Sequence, residues 1–472
     1  MNPADLTVVE ASAALAAREL SAVELAQSCL ARIHERDGTH SPDGDAHSIN
    51  AWIRVYEEDA LAAAARADET IVRGEAGPLT GVPIGLKDLY AVAGKPLTAS
   101  SRLLDETPTR SCDVWRRLEA AGMVLLGHLH THEFAAGGTT DQVGSPWNLE
   151  RTAGGSSGGS AAALAARMTP AATGSDTAGS LRIPSACCGT STIKPTRNLV
   201  SLRGVVPLSY ALDHAGPMAR TLADCALLLP AMAGPDLGRA ESGIARATPA
   251  PPAPGGTSKP LDGIRLAVSP RVGLGTPLEA DVAAGFDEAL ALCRRLGAEL
   301  VDVPSGTAPL DVFAAYADVF GADMLAYHRR FDGRRDLYRP STREFVETAE
   351  ERNATAWEYV QAQVGREETT AAWADWLAAE RVAAIVEPTL PVVAPTRGWG
   401  YDHAFGDAML IDLTHYWNWT GFPVVALPVG VGSQSGLPTS VSLIGPAGSD
   451  WELLRLGIEL QAELGVPSPP AL

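Results

Sequence analysis

No run of 18 uninterrupted apolar residues occurs anywhere in the 472-residue chain, which argues against a transmembrane helix and a membrane partner. The first residues, Met1-Asn2-Pro3-Ala4-Asp5-Leu6, lack the basic stretch and apolar core of a secretory signal, so a cytoplasmic location is expected. Cysteine is sparse: six residues, at 29, 112, 187, 188, 225 and 293, with no Cys-x-x-Cys pair. That pattern reads as free thiols in a reducing compartment and offers no zinc site. Positive charge is also short, with 37 Lys and Arg against 56 Asp and Glu and a formal net charge of −19. A field of that sign repels phosphate backbones, so no nucleic-acid partner is expected. The P-loop ending Gly-Lys-Ser/Thr and the helical zinc motif His-Glu-x-x-His are both absent.

What is present is an ordinary globular composition, 46% hydrophobic and 20% charged, with enough apolar residues for a large core. The first 36 residues read as helical. Ser21-Ala22-Val23-Glu24 forms a capping box, and Val23, Leu25, Ala26, Cys29, Leu30 and Ile33 follow as an apolar stripe at helical spacing. Ser41-Pro42-Asp43-Gly44-Asp45 is a loop by composition, and a second helix is expected over about 57–73. Gly81–Leu86 and Met123–Gly127 read as short buried strands around a helix containing Trp115, Leu118 and Ala121. Helices alternating with short apolar strands imply an α/β fold with a covered sheet. Residues 240–260 are rich in Pro, Ala and Gly and form an exposed connection. Apolar strand patterns return beyond it at 383–386, 424–427 and 440–444. The expectation is therefore one domain over 1–472 with a surface loop at 240–260.

Three segments carry the chemistry: Gly81-Val82-Pro83-Ile84-Gly85-Leu86-Lys87-Asp88; Gly154-Gly155-Ser156-Ser157-Gly158-Gly159-Ser160; and Gly174-Ser175-Asp176-Thr177-Ala178-Gly179-Ser180-Leu181-Arg182-Ile183-Pro184. Alone, each has an ordinary explanation. A lysine closing an apolar strand is usually a solvated strand end, and a Gly/Ser tract is usually a linker. Here, however, Ser160–Met168 continues as an alanine-rich helix, so the tract opens a helix and offers free N–H groups to an anion or a developing oxyanion.

Together the segments resemble the amidase signature family. The resemblance extends over essentially the whole chain and is densest from 81 to 226. Ser156 and Ser180 lie 24 residues apart, as in that family. Lys194-Pro195-Thr196, Asp213-His214-Ala215-Gly216-Pro217-Met218-Ala219-Arg220-Thr221 and Leu437–Gly445 fit it too. The resemblance implies an α/β/α sandwich around a mixed, largely parallel β-sheet. It also implies Ser180 as nucleophile, Ser156 as a bridging serine on a cis peptide, and Lys87 as base. Backbone N–H groups of Thr177, Ala178, Gly179 and Ser180 would form an oxyanion hole, and Asp176 and Arg182 a supporting ion pair. No metal and no cofactor is implied. The physical logic runs beside it. A serine hydroxyl needs a base, and Ser180 does not sit in a Gly-x-Ser-x-Gly elbow. A lysine serves only when neutral, so burial must lower its ordinary value of about 10.4 by several units. Many relatives carry glycine where Ala178 stands; a methyl is tolerated there unless the position needs positive φ.

His128-Leu129-His130-Thr131-His132-Glu133 suggests a metal site at first sight, but structural packing near the three residues is the better reading. Phe313, Tyr316, Phe320, Tyr327 and Phe331 recur near helical spacing, Trp373 and Trp376 lie three apart, and Tyr416-Trp417-Asn418-Trp419 form a further cluster. Such stripes are mostly core, although the resemblance places the variable substrate funnel within about 300–420. The expected function is hydrolysis of a linear amide, with anilide, carbamate or ester as side substrates, in a monomer or homodimer. One alternative is the A-type glutaminase subunit of a tRNA-dependent amidotransferase. The other, of a different class, is a non-catalytic binding protein on the same fold, against which the complete set of three residues argues.

Overall fold

A computed structural model describes residues 2–38, 40–234, 259–398, 400 and 408–469. The helix Ala22–Arg36 starts where the sequence places it. The Ser21 hydroxyl accepts the Glu24 N–H, and Glu24 reaches back to the Ser21 N–H at 2.9 Å. A second capping box, Thr221 with Asp224, opens Leu222–Met232. The helix expected over 57–73 is Glu57–Arg73, closed by Gly74 at φ 75°, a left-handed cap that glycine adopts without a Cβ penalty.

The main sheet has eleven strands: β1 Trp52–Val55, β2 Pro83–Lys87, β3 Val124–Leu129, β4 Ala171–Asp176, β5 Ser191–Lys194, β6 His214–Ala219, β7 Arg265–Val268, β8 Glu299–Asp302, β9 Val382–Pro388, β10 Val424–Val431 and β11 Pro438–Ile444. Their spatial order is β1-β3-β2-β4-β6-β5-β10-β11-β9-β7-β8. Parallel pairing occupies two three-stranded runs, β3-β2-β4 and β9-β7-β8. The strands between these runs pair antiparallel. A separate two-stranded hairpin joins Gly144–Ser145 to Asn148–Thr152.

Every residue of β2, β3, β4 and β6 is buried, so both faces of the sheet are covered, as in an α/β/α sandwich. Helix Glu57–Arg73 packs on β3 and helix Leu222–Met232 on β6. Strands from both sides of residues 235–258 share the one sheet, with β5 paired to β10. The loop expected at 240–260 lies, up to residue 258, outside the described residues. All six cysteines are free and buried. Among the described residues, no helix is long and apolar enough to cross a membrane. The sheet's central feature for chemistry is that β2 and β4 are parallel neighbours. Lys87 closes β2, and Ser175-Asp176 closes β4.

Candidate active site

Lys87 is fully buried. Its Nζ lies 2.7 Å from the Ser156 hydroxyl, 2.8 Å from Ser157 and 2.9 Å from Ser175. A neutral amine offers two donors and one lone pair. Ser157 Oγ lies 3.3 Å from the Ser175 carbonyl, so its own proton has an acceptor and it is free to accept from Lys87. Two N–H groups directed to Ser157 and Ser175 leave the lone pair for the Ser156 O–H. Burial pushes the Lys87 ammonium down to about 7, against the opposing charges of Asp176 and Asp213. The lysine is thus held where its neutral form is abundant near neutral pH. Ser156 follows a cis Gly155–Ser156 peptide. Its carbonyl accepts the His132 N–H at 3.0 Å and the Thr140 hydroxyl at 3.1 Å.

Ser180 follows β4 on a short loop and is 4% exposed, whereas Lys87 and Ser156 behind it are 0% exposed. No hydrogen bond joins the Ser180 hydroxyl to Ser156 among the described residues. The structure thus brings Lys87 and Ser156 into direct contact without a described hydrogen bond onward to Ser180. The backbone N–H groups of Thr177, Ala178, Gly179 and Ser180 have no acceptor among the described residues. Successive backbone N–H groups of this kind are the chemistry an oxyanion site needs. Ala178 is not among the positive-φ residues, so its methyl fits. Gly179 has φ 146°, and a Cβ there would lie 2.4 Å from Thr414 Oγ1.

Asp176 and Arg182 form the expected ion pair, and it is bidentate: Nε to Oδ2 at 3.0 Å and Nη2 to Oδ1 at 2.9 Å. Burial alone would raise the Asp176 carboxyl, but Arg182, Lys194 and Asn418 hold it well below the usual carboxylate range. The Asp176 carboxylate also accepts the Leu181 N–H at 3.1 Å. It therefore braces the loop that carries Ser180.

In front of Ser180 lies a cavity of about 190 Å³, with Thr177, Ala178 and Ile183 on one wall and Phe313, Tyr316 and Phe320 on another. Those three aromatics share a face of helix Phe313–His328. The rest of the expected stripe departs: Tyr327 and Phe331 pack round Phe134, with ring centroids 6.2 and 5.3 Å away. Tyr416–Trp419 do not line the cavity. Trp417 donates to Glu387 at 2.6 Å and Trp373 to the Tyr416 hydroxyl at 2.7 Å, inside a buried aromatic cluster. The helix His415–Thr420 turns only Asn418 toward the loop, donating to Asp176 Oδ1 at 2.8 Å.

The family model described as Amidase matches residues 43–454. The chain belongs to the amidase family. Among curated relatives, the A-type subunit of glutamyl-tRNA(Gln) amidotransferase from Methylococcus capsulatus is 37% identical, over 96% of this chain and 96% of that protein. Among solved structures, a chain from a vestigial protein complex tied to the origins of an s-triazine catabolic enzyme is 28% identical, with a TM-score of 0.84 over 99% of this chain and 100% of that one. The A-type subunit of the Thermotoga maritima glutamyl-tRNA(Gln) amidotransferase is 27% identical, with a TM-score of 0.79 over 100% and 99%.

In this amidase the histidine stretch is packing. His128 Nδ1 lies 2.7 Å from the Tyr56 hydroxyl and its Nε2 2.9 Å from the Tyr90 carbonyl. Burial pushes His130 down to about 3 and His132 to about 4. Among the described residues, no group of three or more His, Cys, Asp or Glu is arranged to hold a metal ion. Several site residues escaped the sequence reading. Ser175 had a usable signal: Thr173 and Ser175 alternate on β4, and both meet Lys87, at its N–H (3.1 Å) and its Nζ. Asp213 sits in a quoted motif, but its role is tertiary. It accepts the Thr177 hydroxyl at 2.6 Å, and burial raises its carboxyl to about 6. Tyr316, Thr414 and Asn418 carry no local signal of their contact with the Ser180 loop.

Proposed function

We propose that this amidase hydrolyses linear amides bearing an apolar acyl group, through an acyl-enzyme on Ser180. The observation that carries the reading is the buried Lys87, held down to about 7 and 2.7 Å from the Ser156 hydroxyl, directly behind a serine that faces a cavity. Ser180 Oγ attacks the carbonyl carbon while its proton passes to Ser156 and the Ser156 proton passes to neutral Lys87. The carbonyl oxygen takes up negative charge against the N–H groups of residues 177–180. The C–N bond then breaks, the proton returns through Ser156 to the leaving nitrogen, and the amine departs. Water, deprotonated along the same route, attacks the ester and releases the acid. Anilides, carbamates and esters pass through the same acyl chemistry.

The cavity supports an apolar acyl group. Among the described residues lining it, only Arg352 is charged, and Arg352 is engaged by Asp318 at 2.6 Å. Its size, about 190 Å³, exceeds the roughly 150 Å³ that accepts benzene in an apolar protein cavity, so one aromatic ring fits. A second reading, the A-type glutaminase subunit of a tRNA-dependent amidotransferase, is favoured by the curated relatives, which include several proteins of that name at 34–37% identity. Glutamine, however, brings an ammonium and a carboxylate, which cost free energy to place in a cavity whose one charged side chain among the described lining, Arg352, is already paired with Asp318.

A fluorophosphonate should label Ser180, and Ser180→Ala should abolish turnover while substrate still binds. Label on Ser156 or Ser157, with Ser180→Ala still active, sinks the assignment. A panel of phenyl-substituted amides, anilides, carbamates and esters, run beside glutamine, then separates the two functions. Glutamine turnover exceeding that of every apolar amide, with a large partner co-purifying, selects the second.

A further inference from the structure

The loop that offers the four N–H groups could present its carbonyls instead, because a peptide plane can rotate between its neighbours. In a trans peptide the C=O and N–H point in opposite directions, so whatever holds the carbonyl fixes the direction of the N–H. Two side chains do this here. The Tyr316 hydroxyl donates to the Thr177 carbonyl at 3.1 Å. The Thr414 hydroxyl donates to the Ala178 carbonyl. These are the two peptides whose N–H groups belong to Ala178 and Gly179.

Both donors are themselves held. Tyr316 is 3% exposed and stacked between Phe313 and Phe320, with ring centroids 6.3 and 6.0 Å away. The Thr414 carbonyl accepts Arg182 Nη1 at 3.0 Å, the same guanidinium that grips Asp176. The Thr414 hydroxyl has other acceptors within reach, the carbonyls of Leu410 and Ile411, but both are at 3.4 Å, longer than its contact with Ala178. Gly179 adds an independent sign of close approach, since a Cβ there would collide with Thr414.

We propose that Tyr316 and Thr414 are positioning residues of the amide hydrolysis. By holding two successive carbonyls, they keep the Ala178 and Gly179 N–H groups turned toward the developing oxyanion and prevent a peptide flip that would set a carbonyl dipole against it. The proposal rests on Ser180 being the nucleophile. Neither hydroxyl touches the substrate's reacting atoms in this role. Their loss therefore acts on the transition state and leaves ground-state binding in place.

The test is a KM-against-kcat split in the full-length enzyme with a chromogenic anilide, together with the affinity of a boronic acid that forms a tetrahedral adduct on serine. Tyr316→Phe and Thr414→Val should each lower kcat by roughly ten- to a hundredfold, somewhat less than removal of an oxyanion donor outright. KM should stay within about twofold, and boronate affinity should fall in step with kcat. Thr414→Ser, which keeps the hydroxyl, should restore most of kcat. If Thr414→Val does not fold, Tyr316→Phe decides alone, since it removes one oxygen from a ring that otherwise stays packed. Unchanged kcat and boronate affinity in Tyr316→Phe, or equal losses in Thr414→Val and Thr414→Ser, overturn the proposal. An active Ser180→Ala enzyme fails the underlying reading instead, so the two failures are distinct.

Discussion

If neutral Lys87 is the base, the perturbation to apply is the proton itself. Burial lowers its value from 10.5 to about 7. By ordinary titration at pH 8, a lysine at the higher value is neutral in about 0.3% of molecules and one at the lower value in about 90%. Burial therefore raises the concentration of usable base about 300-fold at that pH. The sign is fixed: the protonated form is inactive, so kcat/KM must rise with pH, about tenfold per unit below the midpoint, and level off above pH 8. The assay is kcat/KM of an anilide from pH 5 to 10. His130, His132 and His415 are all pushed by burial to about 3 or 4. They stay neutral throughout, and His130→Ala should keep the same limb. Asp213 is a buried carboxyl near this window, raised to about 6. Its charge raises Lys87, so Asp213→Asn should move the limb to lower pH. Lys87→Arg keeps the positive charge but cannot deprotonate in this range, and should be as inactive as Lys87→Ala. A midpoint above about pH 9, or substantial turnover by Lys87→Arg, refutes the lysine base.

Ser156→Ala should cost orders of magnitude in kcat and Ser157→Ala less, although both hydroxyls touch Lys87, because the proposed relay runs through Ser156. Equal rates for Ser156→Ala and wild type rule out the relay. Arg182→Met leaves the Asp176 carboxylate buried without its bidentate partner, so denaturant unfolding should show a loss of about 3–5 kcal/mol. A loss below about 1 kcal/mol would mean that the pair contributes little to holding the loop.

The elements legible in the sequence were those set by local chemistry. Ser21 with Glu24 fixed a helix start by hydrogen bonds three residues apart. The apolar run ending at Lys87 became β2, and the alanine run after Ser160 became the helix Gly158–Ala165. The aromatics proved harder because periodicity identifies a buried face without naming what it faces. Phe313, Tyr316 and Phe320 meet the cavity, while Tyr327 and Phe331, on the continuation of the same stripe, pack around Phe134. The helix His415–Thr420 is apolar enough to suggest a pocket wall, yet its Trp417 indole donates to Glu387 and its Tyr416 hydroxyl accepts the Trp373 indole inside the core.

The family, the α/β class and the candidate trio Lys87, Ser156 and Ser180 were readable from residue order alone, because motif spacing along the chain records which residue types lie at strand ends and helix starts. It took the folded chain to surround Lys87 with three hydroxyls and bury it fully, and burial is what sets its protonation. Folding also brought Tyr316, Thr414 and Asn418 from 139 to 242 residues away onto the loop of residues 176–178. Such contacts depend on how helices pack across the sheet, and nothing in the spacing of neighbouring residues encodes a hydrogen bond closed over so long a separation.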